Sequence, residues 1–121
     1  MHEGTFIDNI PLISIILKQN KLVETIAFVL DTGFTGNLQV TPEIASYLGL
    51  NPMGISFVQM ANGQTISVPI AAISATIEGI TKTVPVLISN GMPLAGIGLF
   101  SQFGYTVIVD CKKKEVYLKN N

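Results

Sequence analysis

The longest unbroken apolar run in this 121-residue chain is five residues, Ile26-Ala27-Phe28-Val29-Leu30, and every other apolar run is shorter. A helix that crosses a bilayer needs about 20 apolar residues, so no such span and no membrane partner are expected. Short runs rich in Val, Ile, Thr and Phe between turn formers read as β-strands. Only 12% of the residues are charged, about half the usual share, and this scarcity of Lys and Glu disfavours an all-helical chain. Hydrophobic residues reach 48%, which excludes disorder on composition. The length fits one domain, residues 1–121, around one modest core.

Residues 5–17 are mostly β-branched and apolar, interrupted by Asp8, Asn9 and Pro11, and a second apolar stretch at 22–30 follows Lys18-Gln19-Asn20-Lys21. Together they predict a long hairpin with its polar turn in water. Thr41-Pro42-Glu43 supplies a hydroxyl cap, a proline at the first helical position and an acid in the first turn, and Gly49 is a stop. Between them Ile44, Ala45 and Leu48 share one face, so a two-turn helix can lie across a sheet. Residues 55–61 and 65–77 read as strands around Asn62-Gly63-Gln64, with Asn-Gly suited to the left-handed positions of a tight turn. Glu78-Gly79 turns the chain again toward a strand at 83–88, residues 94–103 run from strand into helix, and 105–109 with 115–118 make a terminal hairpin around a solvated Lys112-Lys113-Lys114 turn. Seven short strands in a meander, with one or two short helices, predict a mainly antiparallel barrel or folded sheet.

Charge narrows the partners. All seven basic residues are lysine and the formal net charge is -1, so there is no guanidinium fork for phosphates or base edges and nucleic acid is not expected as a partner. One cysteine, Cys111, and one histidine, His2, cannot build a structural zinc site or an intrachain disulfide, so no metal and no cofactor are expected and a reducing, cytoplasmic setting fits. The first nine residues carry two acids and no lysine, unlike a secretory signal. His2 stands in the terminus without a visible orienting partner. Residues 44–77 and 83–109 contain no charged side chain, and part of that uncharged surface is expected in an oligomer interface.

Against this background one carboxylate stands out. Asp31 is the only charged residue between Glu24 and Glu43 and directly follows the longest apolar run. A carboxylate at the end of a core strand is costly unless hydrogen-bonded or protonated, which points to chemistry. The competing reading is an Asp that caps its own turn through the amides of Thr32 and Gly33.

The stretch IAFVLDTG, with residues 27–33 as its core, resembles the retroviral-type (retropepsin-like) aspartic peptidases, in which an apolar strand runs into Asp-Thr-Gly and each subunit contributes one catalytic Asp. QMANGQTISVP, residues 59–69, resembles the substrate-covering flap, and Pro93-Leu94-Ala95-Gly96 resembles the apolar pair and glycine that cross beside the catalytic loop. The closing helix and strand of that family are similar to residues 99–103 and 105–109. The resemblance implies an all-β fold, a closed or partly open antiparallel acid-protease barrel with one or two short helices and one catalytic half per subunit. It also implies a homodimer that hydrolyses extended peptide or protein substrates. Asp31, Thr32 and Gly33 would be catalytic, and Phe34, Ala61, Asn62 and Gly63 would meet substrate.

Hydrolysis by this route divides general base and general acid between two carboxyls that share a proton. One Asp-Thr-Gly per chain therefore requires two copies about a twofold axis. Three positions depart from the family pattern: Phe34 replaces a small residue after the glycine, Ile97 stands where retroviral members carry Arg, and Ile97-Gly98 replaces the Met-Asp of many cellular relatives. These departures motivate a second reading, a noncatalytic peptide-binding or dimerisation module, and a third, a β-barrel scaffold in which Asp31 only caps a turn. Asp110 is expected to serve a turn, and Cys111 lacks a positioned base.

Overall fold

The hairpins of this protein are set by residues able to take positive φ, as seen in a computed structural model that describes residues 1–120. The elements begin with β1 (His2–Glu3), β2 (Thr5–Ile7), β3 (Ile10–Gln19), β4 (Leu22–Leu30), β5 (Leu38–Val40) and α1 (Pro42–Leu48). They continue with β6 (Gly54–Gln59), β7 (Thr65–Ile77), β8 (Ile80–Ile88), β9 (Leu94–Ala95), α2 (Ile97–Phe103), β10 (Thr106–Asp110) and β11 (Glu115–Lys119). Asn20, at φ 56°, closes the expected β3–β4 hairpin with Gln19 opposite Leu22. Glu78 and Gly79, at 51° and 77°, close β7–β8. Two consecutive left-handed residues match the twist of the flanking strands.

Residues 5–17 are not one strand. Asp8, at φ 55°, and Asn9 form a two-residue turn that sets Ile7 opposite Ile10. A short polar side chain tolerates this conformation, and the polar pair here acts as a turn and not as an interruption.

The main sheet runs β2-β3-β4-β9-β5-β8-β7-β6, and β3 also pairs with β7, so the sheet curls back on itself close to a barrel. It is not a pure antiparallel meander: β4 with β9 and β5 with β8 are parallel. A parallel neighbour cannot come from a tight turn, and β9 reaches its place between β4 and β5 by a crossover. Ile13, Ile15 and Leu17 of β3 meet Phe28 and Leu30 of β4 and Ile73, Ala75 and Ile77 of β7 in the core. Along β7 the buried set changes phase between Val68 and Ala71, where the strand passes from pairing with β6 to pairing with β8.

Helix α1 forms as its signals predict. The Thr41 hydroxyl accepts from the Ile44 amide at 3.2 Å, Gly49 ends the helix at φ 68°, and Ala45 and Leu48 are buried. Helix α2 has no side-chain cap, ends at Gly104, and buries Leu99, Phe100 and Phe103. Beyond it the Tyr105 hydroxyl donates to Glu78 Oε1 at 2.7 Å. Burial pushes that phenol up, and the bond holds the Glu78 carboxyl below its ordinary value.

A second, three-stranded sheet is ordered β1-β11-β10. His2 lies within it opposite Leu118, and its Nε2 donates to the Ser14 carbonyl at 2.9 Å, so the residue does have an orienting partner. That partner is 12 residues away and invisible to a local reading. No helix among the described residues is long and apolar enough to cross a membrane.

The alternation in β3 makes a direct prediction. Ile15 is fully buried and Ile16 is 40% exposed. Ile15→Val is expected to lower unfolding free energy by about 1 kcal/mol, and Ile16→Val by less than about 0.5 kcal/mol. Urea unfolding followed by circular dichroism measures both, and equal losses would contradict the inward face assigned to this strand.

Candidate functional site

Asp31 is held by the strand that precedes it and by the crossover strand beside it. Val29 and Leu30 pair in parallel with Leu94 and Ala95. The Val29 amide donates to the Pro93 carbonyl at 2.8 Å, and the Asp31 amide donates to the Ala95 carbonyl at 3.0 Å. The chain then turns. Phe34 N–H donates to the Asp31 carbonyl at 3.1 Å, and Gly33 N–H donates to Asp31 Oδ1 at 2.9 Å. This is a β-turn reinforced by the Asp side chain, so the turn-capping reading describes a real bond. Oδ2 makes no hydrogen bond among the described residues. Asp31 as a residue is partly buried, while Thr32 and Gly33 are exposed.

From the turn, residues 34–37 pass over the start of α2. The Ile97 amide donates to the Phe34 carbonyl at 2.9 Å, Gly98 to Gly36 at 3.0 Å, and Gly96 to Asn37 at 2.9 Å. A Cβ on Gly96 would sit 2.4 Å from the carbonyl oxygens of both Phe34 and Gly36. A Cβ on Gly98 would sit 2.9 Å from three oxygens of residues 35–37. Only glycine admits this approach. A side-chain bond joins the same elements, with Asn37 Nδ2 donating to Gln102 Oε1 at 2.7 Å. The chain has no arginine, and its loop is tied down by backbone bonds and this amide pair.

Beside the loop lies a cavity of about 500 Å³. Gly33, Phe34 and residues 35–38 line one side, Ser56 to Gln59 of β6 the other, and Ile70, Pro85 and Leu87 complete it. No charged residue lines it. β6 ends the sheet. The Met60 amide bonds to the Gln64 carbonyl, so by antiparallel alternation Ile55, Phe57 and Gln59 direct their N–H and C=O groups away from β7.

Of the residues singled out in the sequence, Gly33 and Phe34 line this cavity, and Asp31 and Thr32 lie next to them in the turn but outside the lining. Ala61, Asn62 and Gly63 form the exposed tip of the β6–β7 hairpin, outside the lining of the cavity. Gly63 donates to the Met60 carbonyl at 2.9 Å and takes φ 86°, and Asn62 Oδ1 accepts from the Gln64 amide at 2.9 Å. Only Gly63 is left-handed there, because a three-residue loop with a bulge replaces the tight two-residue turn expected for Asn-Gly. Of the wall residues, Gln59 begins the stretch that resembles a flap, whereas Ser56, Phe57 and Val58 were not singled out by sequence, although their place just before the hairpin could have marked them. Pro85 and Leu87 carry no local signal. Asp110 caps its own turn, accepting from the Lys112 and Lys113 amides at 3.1 and 2.9 Å. No cluster of three metal-ligating side chains occurs among the described residues.

No protein-family model and no curated protein matches the sequence. Solved structures do. A crystal structure of a retropepsin-like aspartic protease from Rickettsia conorii is similar with a TM-score of 0.67 and 20% identity, over 98% of this chain and 87% of that one. EIAV protease complexed with the inhibitor HBY-793 is similar with a TM-score of 0.65 and 11% identity, over 84% of this chain and 95% of that one. At such identities the likeness is one of fold. The mostly β architecture, with its near-barrel sheet and two short helices, is consistent with an aspartic-protease-like fold.

The glycines give a test of this packing. Gly96→Ala drives a methyl into two carbonyl oxygens and is expected to lower stability by about 3 kcal/mol. Gly54→Ala, whose Cβ would meet nothing nearer than 3.9 Å, is expected to change it by less than about 1 kcal/mol. Thermal and urea unfolding of the two variants measure the contrast, and a tolerated Gly96→Ala would refute the close approach.

Proposed function

We propose that this chain is one half of an aspartic endopeptidase, active as a twofold homodimer on extended peptide or protein segments. The observation that carries the reading is a partly buried Asp31 held by its turn at the end of an apolar strand, beside an uncharged cavity bounded by a free sheet edge. The shared fold supports it. A substrate strand fits the chemistry of that edge, since Phe57 and Gln59 offer unpaired backbone groups and the apolar lining suits uncharged side chains.

In the dimer, Asp31 of one copy is ionised and Asp31 of the second is protonated, the pair sharing one proton. Ionised Asp31 takes a proton from water while the water oxygen bonds to the scissile carbonyl carbon. The protonated Asp31 of the second copy gives its proton to the carbonyl oxygen, forming a gem-diol. Return of a proton to the amide nitrogen breaks the C–N bond and releases a carboxyl and an amine. Thr32 ties the two turns across the axis, Gly33 keeps backbone close to substrate, and the tip Ala61-Asn62-Gly63 closes over the bound strand.

A second reading, a noncatalytic peptide-binding module, draws on the Gly33 bond that already occupies one oxygen of Asp31. Cleavage of a diverse peptide library at acidic and neutral pH separates the two. Wild type is expected to cleave, and Asp31→Asn, with fold and dimer verified, to lose at least about a hundredfold in rate. Peptide binding without cleavage in wild type supports the second reading, and equal cleavage by both proteins removes Asp31 from the site.

Dimer dependence gives a further check. Below the dimer dissociation constant, specific activity is expected to fall in proportion to dilution. A dilution series with sedimentation measured alongside tests this, and a monomer of undiminished specific activity would refute the shared centre.

A further inference from the structure

Phe34 stands directly after the Asp31-Thr32-Gly33 turn, where its backbone and its ring both make contacts. Its amide donates to the Asp31 carbonyl, and its carbonyl accepts from Ile97 at the start of α2. The ring lies against two glycines. A Cβ on Gly36 would be 2.6 Å from ring atom Cζ and 2.7 Å from Cε1, and a Cβ on Gly96 would be 2.7 Å from Cδ2. The bulky residue is thus accommodated by the absence of side chains on Gly36 within the loop and on Gly96 at the start of α2. Phe34 is only partly exposed, and its ring packs beside Gly96, whose chain neighbours Ile97 and Gly98 donate to the loop.

We infer that Phe34 is a positioning residue: its ring, laid across Gly36 and Gly96, latches the Asp31 turn onto the start of α2. The catalytic consequence rests on the reading of Asp31 proposed above, whereas the latch itself is a property of the folded loop. A residue that only walled the cavity would act on substrate affinity; one that holds the turn acts on turnover.

The experiment compares wild type with Phe34→Ala, Phe34→Leu, Gly36→Ala and the double variant F34A/G36A, each with its dimer verified. Two readouts are taken: amide hydrogen exchange, and steady-state cleavage of a peptide from the library. In Phe34→Ala, exchange at the Ile97 and Gly98 amides is expected to accelerate tenfold or more while that at Ile15 and Ala75 stays unchanged. Its kcat is expected to fall tenfold or more with KM altered less than threefold. Phe34→Leu keeps kcat within threefold of wild type. Gly36→Ala, which displaces the ring without removing it, reproduces the loss, and adds less than twofold when the ring is already gone, because contacting residues are coupled.

Unchanged exchange at Ile97 and Gly98 in Phe34→Ala would overturn the latch, and a higher KM with kcat preserved would overturn its positioning role in catalysis. Accelerated exchange in a wild-type background that cleaves nothing would uphold the latch and count against the peptidase reading. If Phe34→Ala does not fold, exchange in Phe34→Leu and Gly36→Ala decides the matter, with protection kept in the first and lost in the second.

Discussion

Three backbone hydrogen bonds between residues 34–37 and residues 96–98 hold the candidate site together. Each bond is worth only about 1 kcal/mol net, so it is the set of three that fixes the loop. The three bonds form only if the loop lies within hydrogen-bond reach of the start of α2, and that separation leaves no room for a Cβ on Gly96 or Gly98. The position of Asp31 follows from this contact. Its amide is fixed on β9, its carboxylate by Gly33, and the segment that leaves the turn is pinned two residues beyond β9. Without arginine, the molecule holds this loop by close approach of backbone to backbone.

The rest of the architecture serves the same geometry. β9 is only two residues long, yet it pairs with both β4 and β5, so the two ends of the Asp31 loop are spaced by one intervening strand. β7 is long enough to serve the body of the sheet at one end and the β6 hairpin at the other, with a change of buried face between them. That hairpin brings an unpaired strand edge opposite the loop and leaves an uncharged cavity between. An exposed sheet edge with large apolar side chains such as Ile55 and Phe57, 61% and 72% exposed, is a liability for an isolated chain. It is a natural place for an extended ligand.

Local signals were legible where the physics is local. Thr41, Pro42 and Gly49 marked α1 because caps and proline act within one turn of helix, and Asp110 was recognised as a turn residue for the same reason. The turn at Asp31 was equally readable from Asp-Thr-Gly. Asp8-Asn9 was misread because two polar residues inside an apolar stretch look alike whether they interrupt a strand or reverse it. The difference lies in the pairing of Ile7 with Ile10. Asn62 was assigned a left-handed conformation that only Gly63 adopts, since loop length, set by strand register, selects the turn.

By itself the amino-acid order determined a mostly β chain with one or two short helices, an apolar strand ending in a lone carboxylate, and long stretches without charge. Hydrophobic alternation, capping and turn chemistry act over a few neighbouring residues, and these features required nothing more. The tertiary structure alone decided that β4 and β5 flank β9 and that Phe34 rests on Gly36 and Gly96. It also decided that Pro85 and Leu87 share a cavity with Ser56. Those are contacts between segments distant in the chain. They depend on how close two backbones can come, and that distance is set by the folded whole.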